Sequence, residues 1–222
     1  MSLVDVRLVL FDLDGTLIDS APDLAGAANE MLVARGLPTL ALARLSPMCG
    51  SGARGMLGVA FQVRPGEANY EAMKIEFLDR YEARMLRNTG AYPDVPPMLA
   101  SLVAAGLPWA IVTNKAERFA LPLTEALGLR AHAVAVIGGD TTPHTKPHPA
   151  PLLEAARRAG VNPLHCIYVG DDERDVIAGQ AAGMATAAAA WGYLGQGKPV
   201  GDWGADAVLA SPLAVLPLLG IG

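Results

Sequence analysis

The stretch VDVRLVLFDLDGTLIDS, residues 4–20, decides the fold. From Val4 to Phe11 the side chains are mostly β-branched or aliphatic, as a buried strand requires, and the run stops at the polar turn Asp12-Leu13-Asp14-Gly15-Thr16. A helix is expected next. Asp19 or Ser20 can cap it, Pro22 suits its first turn, and apolar residues recur at Leu24, Ala28, Met31 and Leu32 until Gly36 and Pro38 break the pattern.

Beyond that helix, residues 39–90 keep helical spacing, with Leu57, Phe61, Met73, Phe77, Tyr81 and Met85 marking apolar faces and almost no strand signal. After Tyr92-Pro93 the pattern changes. Strands are expected at 108–113, 133–137, 165–169 and 184–190, and helices at 94–106, 116–128, 149–160 and 173–183. Such alternation predicts an α/β fold, a parallel sheet with helices on both faces. Residues 1–17 and 91–222 then make the sheet domain, and 18–90 an all-helical insertion after its first strand. No internal repeat is visible.

Composition narrows the function. With 52% apolar residues in 222, the chain can close a sizeable core. Cys49 and Cys166 stand far apart in unlike contexts, which suggests neither a disulfide framework nor a cysteine-based metal site, and a reducing cytoplasm is expected. The net charge of −5, with no Lys/Arg cluster, argues against nucleic acid as a partner. Asp12 and Asp14 interrupt the apolar run near the N-terminus, so it does not read as a leader. The apolar end, LASPLAVLPLLGIG, is short for a membrane span and contains Pro212 and Pro217; a terminal helix packed on the core is expected. Met1-Ser2-Leu3 read as a cloning remnant ahead of the native start. Monomer and homodimer both remain open.

Polar residues gather directly after the expected strands: Asp12 and Asp14, then Thr113-Asn114-Lys115, then Asp140, then Asp171-Asp172 with Asp175 close behind; Lys146 follows in the loop that leaves Asp140. In open parallel sheets reactive groups collect at the carboxyl ends of the strands. Carboxylates crowded there repel one another unless a cation joins them, and an all-oxygen set suits a hard ion such as Mg²⁺.

FDLDGTLIDS at 11–20, IVTNK at 111–115, Lys146 within HTKPHPAP, and YVGDDERD at 168–175 resemble, in order and spacing, the four motifs of the haloacid dehalogenase superfamily. The resemblance covers nearly the whole chain. It implies a Rossmann-like core and, from the insertion after the first motif, the subclass with a helical cap. It also implies a Mg²⁺-dependent phosphatase in which Asp12 attacks phosphorus to form an aspartyl phosphate. Asp14 would protonate the leaving oxygen and then activate water. The implied metal ligands are the Asp12 carboxylate, the backbone carbonyl of Asp14 and the Asp171 carboxylate. Thr113, with backbone N–H groups near Leu13 and Asn114, would bind the phosphate, and Lys146 would supply a fixed positive charge. Asp175 would orient Lys146 or a metal-bound water, and Asp172 ranks below Asp171.

Other readings are weaker. GSGARG at 50–55 matches a dinucleotide fingerprint, but no strand precedes it; a loop opening a cap helix, with Arg54 aimed at the substrate, is the better account. His144 and His148 flank Lys146 without any further soft ligand, which argues against zinc. Cys166 reads as a buried small hydrophobe, and Cys49 as a cap-loop residue able to face the active site. A dehalogenase has no need of Asp14. A sugar-phosphate mutase would keep both carboxylates, and a non-enzymatic binding protein on the same scaffold would be expected to lack at least one of these positions. Within the family, 170–184 and 203–216 resemble bacterial phosphoglycolate phosphatases, and a branch acting on N-acetylmuramic acid 6-phosphate shares those features, including an Ala-Arg segment like 52–54.

Overall fold

The computed structural model describes residues 5–221, so the reading of Met1-Ser2-Leu3 lies outside the described residues. In chain order the elements are β1 (Leu8–Phe11), β2 (Ile18–Asp19), α1 (Ala21–Ala34), α2 (Leu42–Leu45), α3 (Gly52–Phe61), α4 (Tyr70–Glu82), β3 (Gly90–Ala91), α5 (Val95–Ala104) and β4 (Trp109–Val112). They continue with α6 (Glu117–Ala126), β5 (Ala133–Ile137), α7 (Ala150–Ala159), β6 (Cys166–Gly170), α8 (Glu173–Ala181), β7 (Ala185–Ala189), β8 (Ala207–Leu209) and α9 (Val215–Leu218).

Six strands form one parallel sheet in the order β5-β4-β1-β6-β7-β8. β1 lies inside it, pairing Val9 with Trp109 on one side and Leu8 with Cys166 on the other. Alternate side chains face opposite ways along a strand, and the two layers follow that rule. Val9, Phe11, Trp109, Ile111, Ile167 and Val169 join a core with residues of α5, α6 and α9. Leu8, Leu10, Ala110, Val112, Cys166 and Tyr168 pack instead on Leu152 and Ala155 of α7 and Ala178 of α8. The carboxyl ends of β1, β4 and β6 therefore meet where the chain changes direction across the sheet, the place where such folds put their sites.

Helices α1 to α4 lie between β2 and β3, which pair antiparallel as a two-stranded ribbon. α1 packs on α3 and α4, and Leu24, Met56, Leu57, Phe77 and Tyr81 belong to the same apolar cluster as Phe11 and Leu13. The four helices are thus joined to the sheet by two short strands and by shared core.

Some local expectations are corrected. Ser20 occupies the N-cap of α1 but makes no side-chain cap, because its hydroxyl is taken by Asp14; Asp19 Oδ1 accepts from the N–H of Ala21 at 3.1 Å instead. The terminal helix is a single short turn, α9, entered through a 3₁₀ segment at Pro212–Ala214. β2, β3 and β8 have two or three residues each, too few to set up a periodic signal.

Candidate active site

The loop after β1 turns sharply at Gly15, whose φ of +86° a side chain rarely adopts; a Cβ there would also lie 2.1 Å from Asp171 Oδ2. Asp12 follows β1, Thr113 and Asn114 follow β4, and Asp171 follows β6, so three adjacent strand ends deliver their polar residues to one spot. Lys146, from the loop between β5 and α7, reaches in beneath them. Its Nζ is 2.9 Å from Asp12 Oδ1 and 2.7 Å from Asp175 Oδ1, and it donates to the Val112 carbonyl and the Tyr168 hydroxyl. Burial lowers the affinity of Lys146 for its proton, but Asp12 and Asp175 more than offset this and keep it an ammonium.

Asn114 holds the backbone of Lys146 from both sides, accepting from its N–H at 2.9 Å and donating to its carbonyl at 3.0 Å. The Thr113 hydroxyl accepts from Lys115 N–H at 3.2 Å and lines the cavity. Asp171 accepts from Thr16 Oγ1 at 2.9 Å and from the Tyr193 N–H at 2.8 Å. Asp172 and Asp175 form a capping box on α8, and Asp172 pairs with Arg174, which also donates to the Gly50 carbonyl in the helical segment at 2.7 Å.

Asp12, Asp171 and Asp175 can each place one carboxylate oxygen within 4.8 Å of the others. Burial raises Asp12, Lys146 pulls it down, and the charges of Asp175 and Asp14 push it up, to about 7 in all. Burial and the charges of Asp12 and Asp175 likewise push Asp171 well above the usual carboxylate range. Asp12 Oδ1 is buried and receives no well-aligned hydrogen bond among the described residues. Three buried carboxylates face a single ammonium, and their oxygens form a donor set that fits a hard divalent metal.

The Asp14 carboxylate is outside that trio. Ser20 Oγ donates to one of its oxygens, and Lys115 Nζ lies 3.1 Å from the other. Above them opens a cavity of about 540 Å³, lined from the sheet by Asp12, Thr113, Lys146 and Asp171 and from the helical segment by Cys49, Arg54, Tyr70, Phe77 and Tyr81. Arg54, at the start of α3, lines the cavity as its position suggested, and no strand precedes GSGARG; Ser46–Ser51 is a 3₁₀ turn. Leu13 is fully buried, so only its backbone can serve a ligand. Asp140 caps α6 through the Glu117 N–H at 2.8 Å. His144 and His148 stack on one another at 4.2 Å, and burial pushes the Cys49 thiol up.

Lys115, Ser20 and Thr16 stand in the sequence motifs without a part in the site foreseen for them, and Tyr193 lies outside those motifs. Tyr193 sits just beyond β7, so the strand-end rule applied to β7 as well finds it.

These strand-end carboxylates, the lysine among them and the helical segment overhead define a hydrolase site on a doubly wound sheet. The family model of the haloacid dehalogenase-like hydrolases matches residues 9–189, and the chain belongs to that family. It is 49% identical over 207 residues to a phosphoglycolate phosphatase of Xanthomonas campestris pv. campestris, covering 93% of each chain. It is 36% identical to an N-acetylmuramic acid 6-phosphate phosphatase of Pseudomonas aeruginosa, covering 99% of this chain and 97% of that one. A crystal structure described as a predicted phosphoglycolate phosphatase of Haemophilus somnus superposes with a TM-score of 0.85 at 29% identity, over 97% of this chain and 98% of that one.

Proposed function

We propose that this chain is a Mg²⁺-dependent phosphatase that hydrolyses the phosphate monoester of a small metabolite, most closely a phosphoglycolate phosphatase. The observation that carries the reading is the pairing of Asp12 with Lys146 at 2.9 Å on the floor of the cavity, where a nucleophile and a fixed cation face one incoming phosphate. Asp12 Oδ attacks phosphorus in line and the bond to the leaving oxygen breaks; water then attacks the aspartyl phosphate and frees Asp12 with inorganic phosphate. Asp14 gives the leaving oxygen its proton and takes one from the water. Thr113 and the backbone N–H groups of Leu13 and Asn114 hold the phosphate oxygens, and the Asn114 side chain fixes Lys146.

Asp12, Asp171 and the Asp14 carbonyl would hold Mg²⁺, with Asp175 steadying Lys146. Bound there, the ion neutralises the phosphate against the carboxylates. Residues 18–90 serve as a cap over the core formed by 1–17 and 91–222, and Arg54 addresses the part of the substrate away from phosphorus. The two buried free cysteines suit a cytoplasmic enzyme, and no helix among the described residues is long and apolar enough to cross a membrane.

A second substrate is favoured by one feature. The cavity of about 540 Å³ has more room than a two-carbon acid needs, which suits a sugar such as N-acetylmuramic acid 6-phosphate. Comparing kcat/KM for 2-phosphoglycolate and N-acetylmuramic acid 6-phosphate, with and without Mg²⁺ and with Asp12→Asn as the blank, separates the two. Mg²⁺-dependent phosphate release that the variant lacks is expected. Turnover of neither ester, or isomerisation of a sugar phosphate without net phosphate release, would replace the hydrolase reading with the mutase one.

A further inference from the structure

Lys115 has no place in the chemistry above, yet it is one of the most enclosed charges in the molecule, its side chain only 8% exposed. An ammonium is seldom buried unless its surroundings offset the lost hydration. Two groups do so. Nζ lies 3.1 Å from Asp14 Oδ2, and it donates to the Tyr81 hydroxyl at 2.9 Å while sitting 4.6 Å from the centre of that ring.

Tyr81 is itself fixed. It comes from α4, is 1% exposed, stacks on Phe77 with centroids 6.4 Å apart, and meets the edge of Phe119 from α6 at 5.5 Å. The Ser20 hydroxyl, at the start of α1, holds the other oxygen of Asp14. The carboxylate of Asp14 is therefore oriented between a residue at the head of α1 and a lysine whose own partner is on α4.

We propose that Lys115 is a positioning residue for Asp14, with Tyr81 fixing Lys115, so that α4 of the helical segment sets the direction in which Asp14 exchanges protons. This rests on the phosphatase reading. In the first step a proton passes from Asp14 to the leaving oxygen as the phosphorus–oxygen bond breaks and the bond to Asp12 forms. In the second, Asp14 accepts a proton from water as the water oxygen bonds to phosphorus and the bond to Asp12 breaks. Both transfers demand an aligned carboxylate, and neither touches Lys115 itself.

An ester whose leaving group needs no proton should be indifferent to Lys115 in its first step. Wild type, Lys115→Met, Lys115→Arg and Tyr81→Phe would each be assayed with Mg²⁺ in two ways: kcat and KM on an alkyl phosphate that wild type turns over, and single-turnover release of p-nitrophenolate from p-nitrophenyl phosphate. Lys115→Met is expected to lose about 100-fold in kcat on the alkyl ester, within the range for misdirected acid–base catalysis. Its KM and its p-nitrophenolate release should stay within about threefold of wild type, a split that follows if only proton transfer is affected. Lys115→Arg should recover part of the loss, and Tyr81→Phe should fall between wild type and Lys115→Met. Added to Asp14→Ala, Lys115→Met should cost no more than about another threefold, because the two residues act as one unit.

Equal slowing of both esters, or losses that multiply in the double variant, would overturn the positioning role while leaving the phosphatase standing. Wild type that releases phosphate from neither ester would remove both. Should Lys115→Met fail to fold by circular dichroism, Tyr81→Phe, which removes one hydroxyl, carries the same comparison of esters.

Discussion

Tyr193 ties Asp171 to the start of α1: its N–H donates to Asp171 Oδ2 at 2.8 Å, while its hydroxyl accepts from the N–H groups of Ser20 and Ala21 at 2.8 and 2.9 Å. The same hydroxyl donates to Asp19 Oδ1 at 3.0 Å. One residue thus serves the acidic cluster with its backbone and caps the first helix with its side chain.

Those two services separate in Tyr193→Phe. The variant keeps the N–H on Asp171 but leaves Ser20 N–H without its acceptor, so it should lose about 1–2 kcal/mol of stability. The Mg²⁺ concentration for half-maximal activity should not move. Chemical denaturation and a Mg²⁺ titration of phosphate release check the two halves; a large rise in the Mg²⁺ requirement would contradict the division of labour.

Gly192→Ala should do the reverse. A Cβ at 192 would lie 2.2 Å from the Asp171 Cβ and 2.5 Å from the Gly15 carbonyl, both part of the site. Asp171 has to give way, and the Mg²⁺ requirement should rise about tenfold or more. Unchanged Mg²⁺ dependence would mean that the loop shifts without moving the carboxylate.

Removing one of the crowded charges should steady the metal-free protein. Asp12, raised to about 7 by burial and its acidic neighbours, is held against electrostatic strain when no cation is present. Metal-free Asp12→Asn should melt higher than metal-free wild type, at about 2–4 °C per kcal/mol relieved for a chain of this size. Added Mg²⁺ should then stabilise wild type more than the variant. Scanning calorimetry decides it, and a lower melting point for the variant would count against the crowding argument.

Asp23, fully buried on α1, supplies a pH test away from the site. It accepts from the Asn88 N–H, the Thr89 N–H and the Thr89 hydroxyl, each at 2.9 Å, and from Asn88 Nδ2 at 3.1 Å. Burial raises its pKa, but these bonds together bring it below the ordinary 3.8. A depressed carboxylate adds stability above its unfolded pKa, which is lost as pH falls through the folded value. Asp23→Asn should therefore be destabilised at pH 7, and its deficit relative to wild type should shrink below about pH 4. Urea midpoints at both pH values check this; a deficit independent of pH would assign the loss to geometry.

Much of this was legible in the sequence for a physical reason. β1, β4 and β6 are buried on both faces, so they appear as apolar runs that stop abruptly, and polar residues after such stops can only be turns or sites. Asp12, Thr113 and Asp171 stand at such stops, Lys146 stands in the loop that leaves Asp140, and the structure brings all four to one cavity. What escaped were partners chosen across distance. Nothing local to Tyr193 says that its hydroxyl meets Ser20, and nothing in α4 distinguishes Tyr81 from any other apolar-face aromatic. The ribbon β2–β3 escaped because Ile18 and Ala91 find each other only once the helices between them are packed.

The interior position of β1 also bears on how the chain is made. Its two neighbours in the sheet are β4 and β6, and the hydrogen bond from Thr16 to Asp171 joins residues 155 apart. During synthesis Asp12 leaves the ribosome early behind a strand with both edges open, and the helical stretch, β4 and β5 follow before β6 covers the second edge. A chain cut ahead of Cys166 would carry Asp12 and Lys146 but neither Asp171 nor Asp175. The acidic cluster thus comes into being with the closing of the sheet, so an incomplete product displays an exposed strand and an unassembled cluster.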